Sequence, residues 1–164
     1  MLTCDGLTPA QFLPLWRDAM WSSTSVDSRA RLVLELGRLE MRESRVAPTL
    51  AVVFVPKREP PFLVMPLSEL PTAAAPEVRE RLRERLGTLG ATEVYLLVTQ
   101  RSPTEGGPVL VSAWGETLDG QEACWVQPFR PRSQILEEAP AMMLPEASEG
   151  ALSRACSGLM VQRH

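Results

Sequence analysis

The sequence PVLVSAWGETLDGQEACWVQPF, residues 108–129, is the part of this chain whose structure can be predicted most directly. Two apolar runs flank Asp119 and Gly120, and an Asp-Gly pair between two such runs is a strong signal for a β-hairpin. With these two residues as the turn, Trp114 lies directly opposite Trp125 as an aromatic cross-strand pair. We therefore predict two adjacent antiparallel strands here.

The same pairing places Leu110 and Phe129 on the face that carries Trp114 and Trp125. The opposite face is small and apolar, so neither face of the hairpin suits full exposure to water. We expect the N-terminal helices, the C-terminal segment or another subunit to cover the tryptophan face. These four residues are candidate interface residues, and paired tryptophans are also a candidate stacking platform for single-stranded nucleic acid.

Three helices and three further strands are predicted before the hairpin. A capping box of Thr8 and Gln11 around Pro9 begins the first helix. Helical spacing of apolar residues predicts a second helix from residue 27 or 28 to 42, and a third from about residue 76 to a C-cap at Gly90. Compact apolar runs predict strands over 50–55, 62–67 and 93–100.

These elements follow the order α-α-β-β-α-β-β-β, with a last short helix suggested between Ala151 and Leu159. We predict an α+β or α/β fold, in which helices pack on at least one face of a single five-stranded mixed or antiparallel sheet. We expect residues 1–130 to form one domain and the proline- and glutamate-rich segment 131–164 to fold back on it. The order resembles that of roadblock/longin-type domains and, more loosely, of secretion chaperones, both of which act by binding proteins. No sequence motif accompanies this similarity of order.

The composition is that of an ordinary globular chain. A length of 164 residues suits one domain, and the net charge of −3 argues against a general nucleic-acid binder. No apolar run reaches the roughly 18 residues of a membrane span, and no secretory signal opens the chain, so a cytoplasmic location is expected. Three widely spaced cysteines suggest free thiols, and the scarcity of lysine, isoleucine and asparagine suggests a GC-rich bacterial genome.

Few residues of this chain are suited to catalysis. Its single histidine is the terminal His164, which excludes serine and cysteine triads and most zinc sites. The one lysine, Lys57, has a single acidic neighbour in a proline-rich loop, which does not match a metal-dependent nuclease. The carboxylates of Glu116, Asp119 and Glu122 gather at the hairpin turn, where such groups are usually solvated rather than bound to a cation. We predict no metal, no cofactor and no catalytic residue.

The leading hypothesis is a non-enzymatic protein–protein interaction or assembly module of a bacterial or phage accessory system, which binds a protein partner or a second copy as a homodimer. It rests on the two-sided apolar hairpin and on a short apolar tail at Met142 and Met143, which join the candidate interface residues. A small carboxylate-dependent enzyme or small-molecule binder is the alternative, because pairs of carboxylates can meet in space without a sequence signature. A weaker alternative is a single-stranded nucleic-acid binder that uses Trp114 and Trp125. The interleaved charges over 77–85 predict a solvated helix surface, and no membrane association is expected.

Overall fold

The structure is a computed structural model, and it describes residues 1–72, 74–101, 104–144 and 155–160. The helices are α1 (Pro9–Ser22), α2 (Val26–Ser44) and α3 (Pro76–Leu89). The strands are β1 (Leu50–Phe54), β2 (Phe62–Pro66), β3 (Glu93–Arg101), β4 (Val109–Thr117), β5 (Glu122–Pro131), β6 (Leu136–Glu138) and β7 (Met142–Met143). The first eight elements follow the predicted order.

The seven strands form one antiparallel sheet with the order β2-β1-β3-β4-β5-β6, in which β7 also pairs with β5. This arrangement confirms the α+β class. The predicted number of five strands is wrong, because residues 136–138 and 142–143 add two short strands beside β5. Strands of three and two residues are too short to show an alternation of polar and apolar side chains, so their own sequence does not reveal them.

Capping groups explain where the helices begin and end. The hydroxyl of Thr8 accepts a hydrogen bond from the backbone N–H of Gln11, and the side chain of Gln11 accepts one from the backbone N–H of Thr8, which confirms the predicted capping box. Ser25 caps α2 in a similar way through the backbone N–H of Ser28. Gly90 ends α3 with a φ of 71°, a left-handed conformation that glycine adopts without strain.

Helices cover both faces of the sheet. On one face α1 and α2 pack against the strands, and Trp16 meets Phe62 edge to face with ring centroids 5.6 Å apart. On the other face α3 packs together with residues 155–160, and Leu82 and Leu159 share one apolar cluster there. The sheet is therefore the middle of three layers, whose two sides are named here the α1/α2 face and the α3 face.

Two glycines allow unusually close packing on the α1/α2 face. A Cβ at Gly37 of α2 would lie 2.8 Å from Leu97 Cδ1 and from Val111 Cγ1. A Cβ at Gly115 of β4 would overlap the ring of its cross-strand partner Tyr95. Close approach to neighbouring side chains therefore explains both glycines.

The pairing of β4 with β5 differs from the predicted pairing by one residue. Trp114 pairs with Cys124, and Ala113 pairs with Trp125, so the predicted Trp114–Trp125 pair is wrong. A shift of one residue moves every side chain of one strand to the other face of the sheet. Trp114 consequently lies on the α3 face and Trp125 on the α1/α2 face.

The length of the turn causes this shift. The loop between the strands has three residues rather than two, since the backbone N–H of Thr117 donates to the carbonyl of Gln121. Gly120 closes the loop with a φ of 88°. Three-residue hairpin loops with a left-handed last residue are the next commonest class after the two-residue turns.

The C-terminal residues that the structure describes are in contact with the rest of the chain. β6 and β7 pair with β5, and Cys156, Leu159 and Met160 are buried on the α3 face. Of the predicted last helix between Ala151 and Leu159, residues 151–154 lie outside the described residues; Ala155 and Cys156 have helical backbone, and residues 157–160 form turns and bends. Within the described ranges, no helix combines the length and the apolar character that crossing a membrane requires.

Candidate interaction site at the β2 edge

The two tryptophans of the hairpin do not share a surface. Trp114 and Phe129 are fully buried on opposite faces of the sheet. Trp125 is half-buried on the α1/α2 face, where its indole N–H donates to the carbonyl of Asp27 and the guanidinium of Arg31 lies 5.2 Å from its ring centroid. Trp114 and Trp125 therefore form no common stacking platform in this fold.

The other predicted interface residues lie nearer the surface. Leu110 on β4 is half-buried. Met142 and Met143 on β7 are 54% and 45% exposed. These two methionines stay a candidate contact surface, at the side of the sheet that β6 and β7 form.

The carboxylates near the hairpin turn hold the C-terminal segment. Glu116 is buried, and its two oxygens accept hydrogen bonds from the backbone N–H groups of Gly158 at 2.7 Å and Met160 at 2.6 Å. Glu122 accepts a hydrogen bond from the hydroxyl of Ser157. Burial raises the pKa of Glu116, although the two backbone N–H groups oppose that shift. In the part of the chain that the structure describes, no three acidic, cysteine or histidine side chains gather as a metal site.

The three cysteines are buried thiols whose pKa is raised by burial, although Arg42 donates a hydrogen bond of 3.4 Å to the sulfur of Cys4. Burial raises the pKa of Cys124 and that of Cys156 to about 11, and it also raises the pKa of Cys4. A thiol with a raised pKa is protonated at neutral pH and is therefore a poor nucleophile. These environments favour packing as the role of the cysteines.

Alternating charges tie α2 to the N-terminal segment and to β6. Glu35 is buried and accepts hydrogen bonds of 2.6 and 2.7 Å from Arg38. Arg42 donates two hydrogen bonds of 2.6 Å to Glu138 and one of 2.7 Å to Asp5. The hydrogen bonds from Arg42 lower the pKa of Glu138 and that of Asp5. Because each charge meets an opposite charge, the cluster suits a structural role better than a ligand site.

The strand β2 is at the opposite end of the sheet, and no other strand of the described chain pairs with its outer edge. On its inner side, the backbone N–H of Leu67 donates to Thr49, and that of Val55 donates to Pro61. Hydrogen-bonded positions alternate along an antiparallel pair. The backbone groups of residues 63 and 65 therefore point toward β1, and those of residues 62, 64 and 66 point outward.

These outward positions give the edge two potential backbone donors. Phe62 and Val64 each carry an N–H there, whereas Pro66 has none. The side chain of Val64 is 45% exposed. The outer edge of β2 is thus short and centred on Val64.

An apolar groove of about 620 Å³ lies between β2 and α3. Leu82 and Leu86 of α3 pack over β1 and β3, and this leaves the side chains of β2 on the α3 face only half-covered. We name this depression the α3-side groove; its floor consists of Leu63, Met65, Leu67, Leu82 and Leu89.

The rim of the α3-side groove is positively charged. Arg58 and Arg85 are exposed at the groove, and none of the described residues that line it is acidic. The groove adjoins a second depression of about 370 Å³ along α3, which adds Arg81 and Glu69. Arg81 and Arg85 belong to the charged stretch 77–85, which was predicted to be a solvated surface.

A further depression, of about 670 Å³, lies against α1 on the α1/α2 face of β2. Its apolar lining includes Trp21, which is 62% exposed, and Pro60, Pro61 and Phe62. Its charged lining residues are the cations Arg17 and Arg58, the second of which it shares with the α3-side groove, and the carboxylates Asp18 and Glu59. We name it the Trp21 pocket.

The spacing of two tryptophans in the sequence is a signal for the exposure of Trp21. Trp16 and Trp21 are five residues apart in one helix, which separates them by about 140° around the helix axis. Both cannot face one core, and Trp16 is the buried one, with its indole N–H donating to the carbonyl of Leu32 at 2.8 Å. An exposed tryptophan beside an open strand edge is a candidate contact residue.

The comparisons with known proteins give no relative. No protein-family model matches the chain, and no curated protein or solved structure is similar enough to count as a match. What can be inferred about function therefore depends on the surface of the chain itself.

Proposed function

We propose that this protein is a non-enzymatic interaction module that binds an acidic, apolar segment of a partner protein in the α3-side groove. The proposal rests on one observation: apolar side chains and two exposed arginines line the same groove. Side chains such as Met65 and Leu89 supply the floor, and Arg58 and Arg85 supply the rim. Exposed apolar depressions rimmed by polar groups are characteristic of interaction sites.

The local charge favours an acidic partner. The whole chain has a net charge of −3, yet Arg58 and Arg85 stand at the α3-side groove without a carboxylate among the described lining residues. Complementary charge accelerates encounter and suppresses wrong partners more than it raises affinity. We therefore expect the apolar contacts to hold the partner segment and the arginines to select it.

A foreign partner fits this groove better than a second copy of the chain does. Two copies joined groove to groove would bring Arg58 and Arg85 of both copies together, and like charges across an interface are unfavourable. Self-association remains a separate hypothesis for the side of the sheet where Met142 and Met143 are exposed. The mass of the protein in solution, measured by light scattering, tests that hypothesis: a dimer that Met143→Glu dissociates supports it, and a monomer contradicts it.

The environments of the buried acids support a non-enzymatic role. Glu35 and Glu116 are the buried carboxylates of the described residues. Glu35 accepts hydrogen bonds from Arg38, and Glu116 accepts them from the backbone N–H groups of residues 158 and 160. Neither carboxylate is among the residues that line the α3-side groove, the depression along α3 or the Trp21 pocket, which weighs against the carboxylate-dependent enzyme.

The experiment is a selection of random dodecapeptides displayed on phage against the immobilised protein. We expect the selected peptides to be rich in aspartate, glutamate and large apolar residues. A synthetic selected peptide should bind Arg85→Glu at least about tenfold more weakly than it binds the original protein, as its fluorescence anisotropy would show.

Arg101→Glu is the matched control, because Arg101 is an exposed arginine at the end of β3 and does not line the groove. The control should change the affinity by less than about twofold. Selected peptides without acidic bias, or equal weakening by the two substitutions, would contradict the proposal.

A further inference from the structure

We infer that the partner segment binds as an additional β-strand along the outer edge of β2. The inference rests on the proposed function and adds the binding mode and the pattern of side chains that the partner must carry. Addition of a strand to an open sheet edge is a recurrent way of recognising extended peptides, in which backbone hydrogen bonds hold the peptide and pockets for alternate side chains select it.

The backbone of β2 has the required orientation. The inner hydrogen bonds at Val55 and Leu67 fix the alternation, so that Phe62 and Val64 direct their N–H and C=O groups away from β1. The exposure of Val64 shows that this position is accessible from solvent. Pro66 closes one end of the edge because it lacks a donor.

Each face of the sheet has a depression beside this strand. Leu63 and Met65 direct their side chains into the α3-side groove. Phe62 directs its side chain to the α1/α2 face, where it lines the Trp21 pocket. Arg58, in the loop between β1 and β2, lines both depressions. The edge of β2 therefore runs between two sites that could each receive side chains from one strand.

This placement predicts the sequence pattern of the partner. Successive side chains of a strand point to opposite faces, so alternate residues of the added strand would face the α3-side groove. Those residues should be acidic or large and apolar, because the rim there is cationic. The intervening residues would face the Trp21 pocket, whose lining carries both cations and carboxylates, and they should be neutral and apolar.

A helical partner segment is the main competing binding mode, and it makes a different prediction. A helix would lie in the α3-side groove alone and would use side chains at a spacing of three to four residues. It would need neither the outward N–H of Val64 nor the Trp21 pocket. The spacing of the contacting residues along the peptide therefore distinguishes the two binding modes.

The first test compares Val64→Pro with Val64→Thr, using the synthetic peptide from the selection. Proline at 64 removes the outward N–H without removing a hydrogen bond to β1, and threonine keeps both the N–H and the branched shape. We expect Val64→Pro to weaken binding at least about tenfold and Val64→Thr by less than about twofold. Retained binding by Val64→Pro, together with loss by Arg85→Glu, would overturn strand addition and leave the groove proposal standing.

The second test leaves the protein unchanged, and it decides the matter if Val64→Pro does not fold. Each amide of the peptide is methylated in turn, which removes one donor at a time. Strand addition predicts that affinity falls at every second position along the peptide. Loss at a spacing of three to four residues, or no loss at any position, would overturn the inference.

Discussion

The carboxylate of Glu116 on β4 accepts a hydrogen bond of 2.6 Å from the backbone N–H of Met160. The other oxygen of Glu116 accepts one of 2.7 Å from Gly158, so one buried side chain holds two backbone groups of the C-terminal segment. Leu159, which lies between these two residues in the chain, belongs to the apolar layer on the α3 face. The stability of this layer is therefore expected to depend on the protonation of Glu116.

Glu116→Gln should change how stability depends on pH. Burial raises the pKa of Glu116 above its ordinary value of 4.5, so the folded state binds this proton more tightly than the unfolded state does. The contribution of Glu116 to stability is then full below pH 4.5 and falls as the pH rises through the raised pKa. Denaturant unfolding of the original protein should show this fall, and Glu116→Gln should lack it. Parallel pH profiles for the two proteins would contradict the assignment.

Glu138→Gln should destabilise the protein at neutral pH by about 1 kcal/mol, because the amide has no charge and keeps only one of the two oxygens that accept hydrogen bonds from Arg42 at the junction of α2 and β6. Those hydrogen bonds lower the pKa of Glu138, so its contribution is present above its ordinary pKa of 4.5 and is lost as the pH falls through the lowered value. The difference in stability between the original protein and Glu138→Gln should shrink in acid.

Glu137→Gln is the control, since the Glu137–Arg132 pair is largely exposed, and it should change stability by less than about 0.5 kcal/mol. Equal losses for both variants would refute the prediction.

Gly37→Ala and Gly87→Ala should change stability in opposite directions. The new methyl group at Gly37 would meet Leu97 and Val111 at 2.8 Å, and such overpacking costs about 1–3 kcal/mol. Gly87 is a helix position with nothing within 4 Å of a built Cβ, so alanine there should stabilise by about 0.5–1 kcal/mol. Thermal unfolding measures both changes. A neutral or stabilising Gly37→Ala would show that α2 lies farther from the sheet than the structure places it.

Trp21 should dominate the quenching of tryptophan fluorescence by acrylamide. Trp21 is 62% exposed, whereas Trp16 and Trp114 are buried. Trp21→Phe should therefore remove most of the quenchable emission, and Trp125→Phe should remove less. Unchanged quenching in Trp21→Phe would place that indole in the core and remove the Trp21 pocket from consideration.

Local signals in the sequence were sufficient for the helices and for most strands. The capping box at Thr8 and the left-handed Gly90 each depend on a few neighbouring residues, and both are where the sequence predicts them. The pairing of Trp114 was not predictable in this way, because Asp119-Gly120 fits a two-residue turn as well as the end of a three-residue loop. Because the loop has one residue more than predicted, the side chain of Trp125 lies on the face of the sheet opposite to that of Trp114.

The candidate site depends on tertiary relationships that the sequence does not state. The strand over residues 62–66 is predictable, but its place at the end of the sheet follows from the order β2-β1-β3, which involves residues far apart in the chain. Arg85 could not be predicted as a site residue for the same reason. In the sequence it is one of the alternating charges of a helix, and only the folded structure shows that it lies at the groove beside β2. Site residues of this kind become visible only when the packing of α3 on the sheet is known.

The most direct test of the proposed site is an amide proton–nitrogen correlation spectrum of the labelled protein, recorded with and without the selected acidic peptide. We expect the shifted signals to cluster at residues 62–67, along α3 near Arg85 and at the indole of Trp21. A cluster at Met142 and Met143, or around Trp125, would contradict the account and place the binding surface at the other side of the sheet.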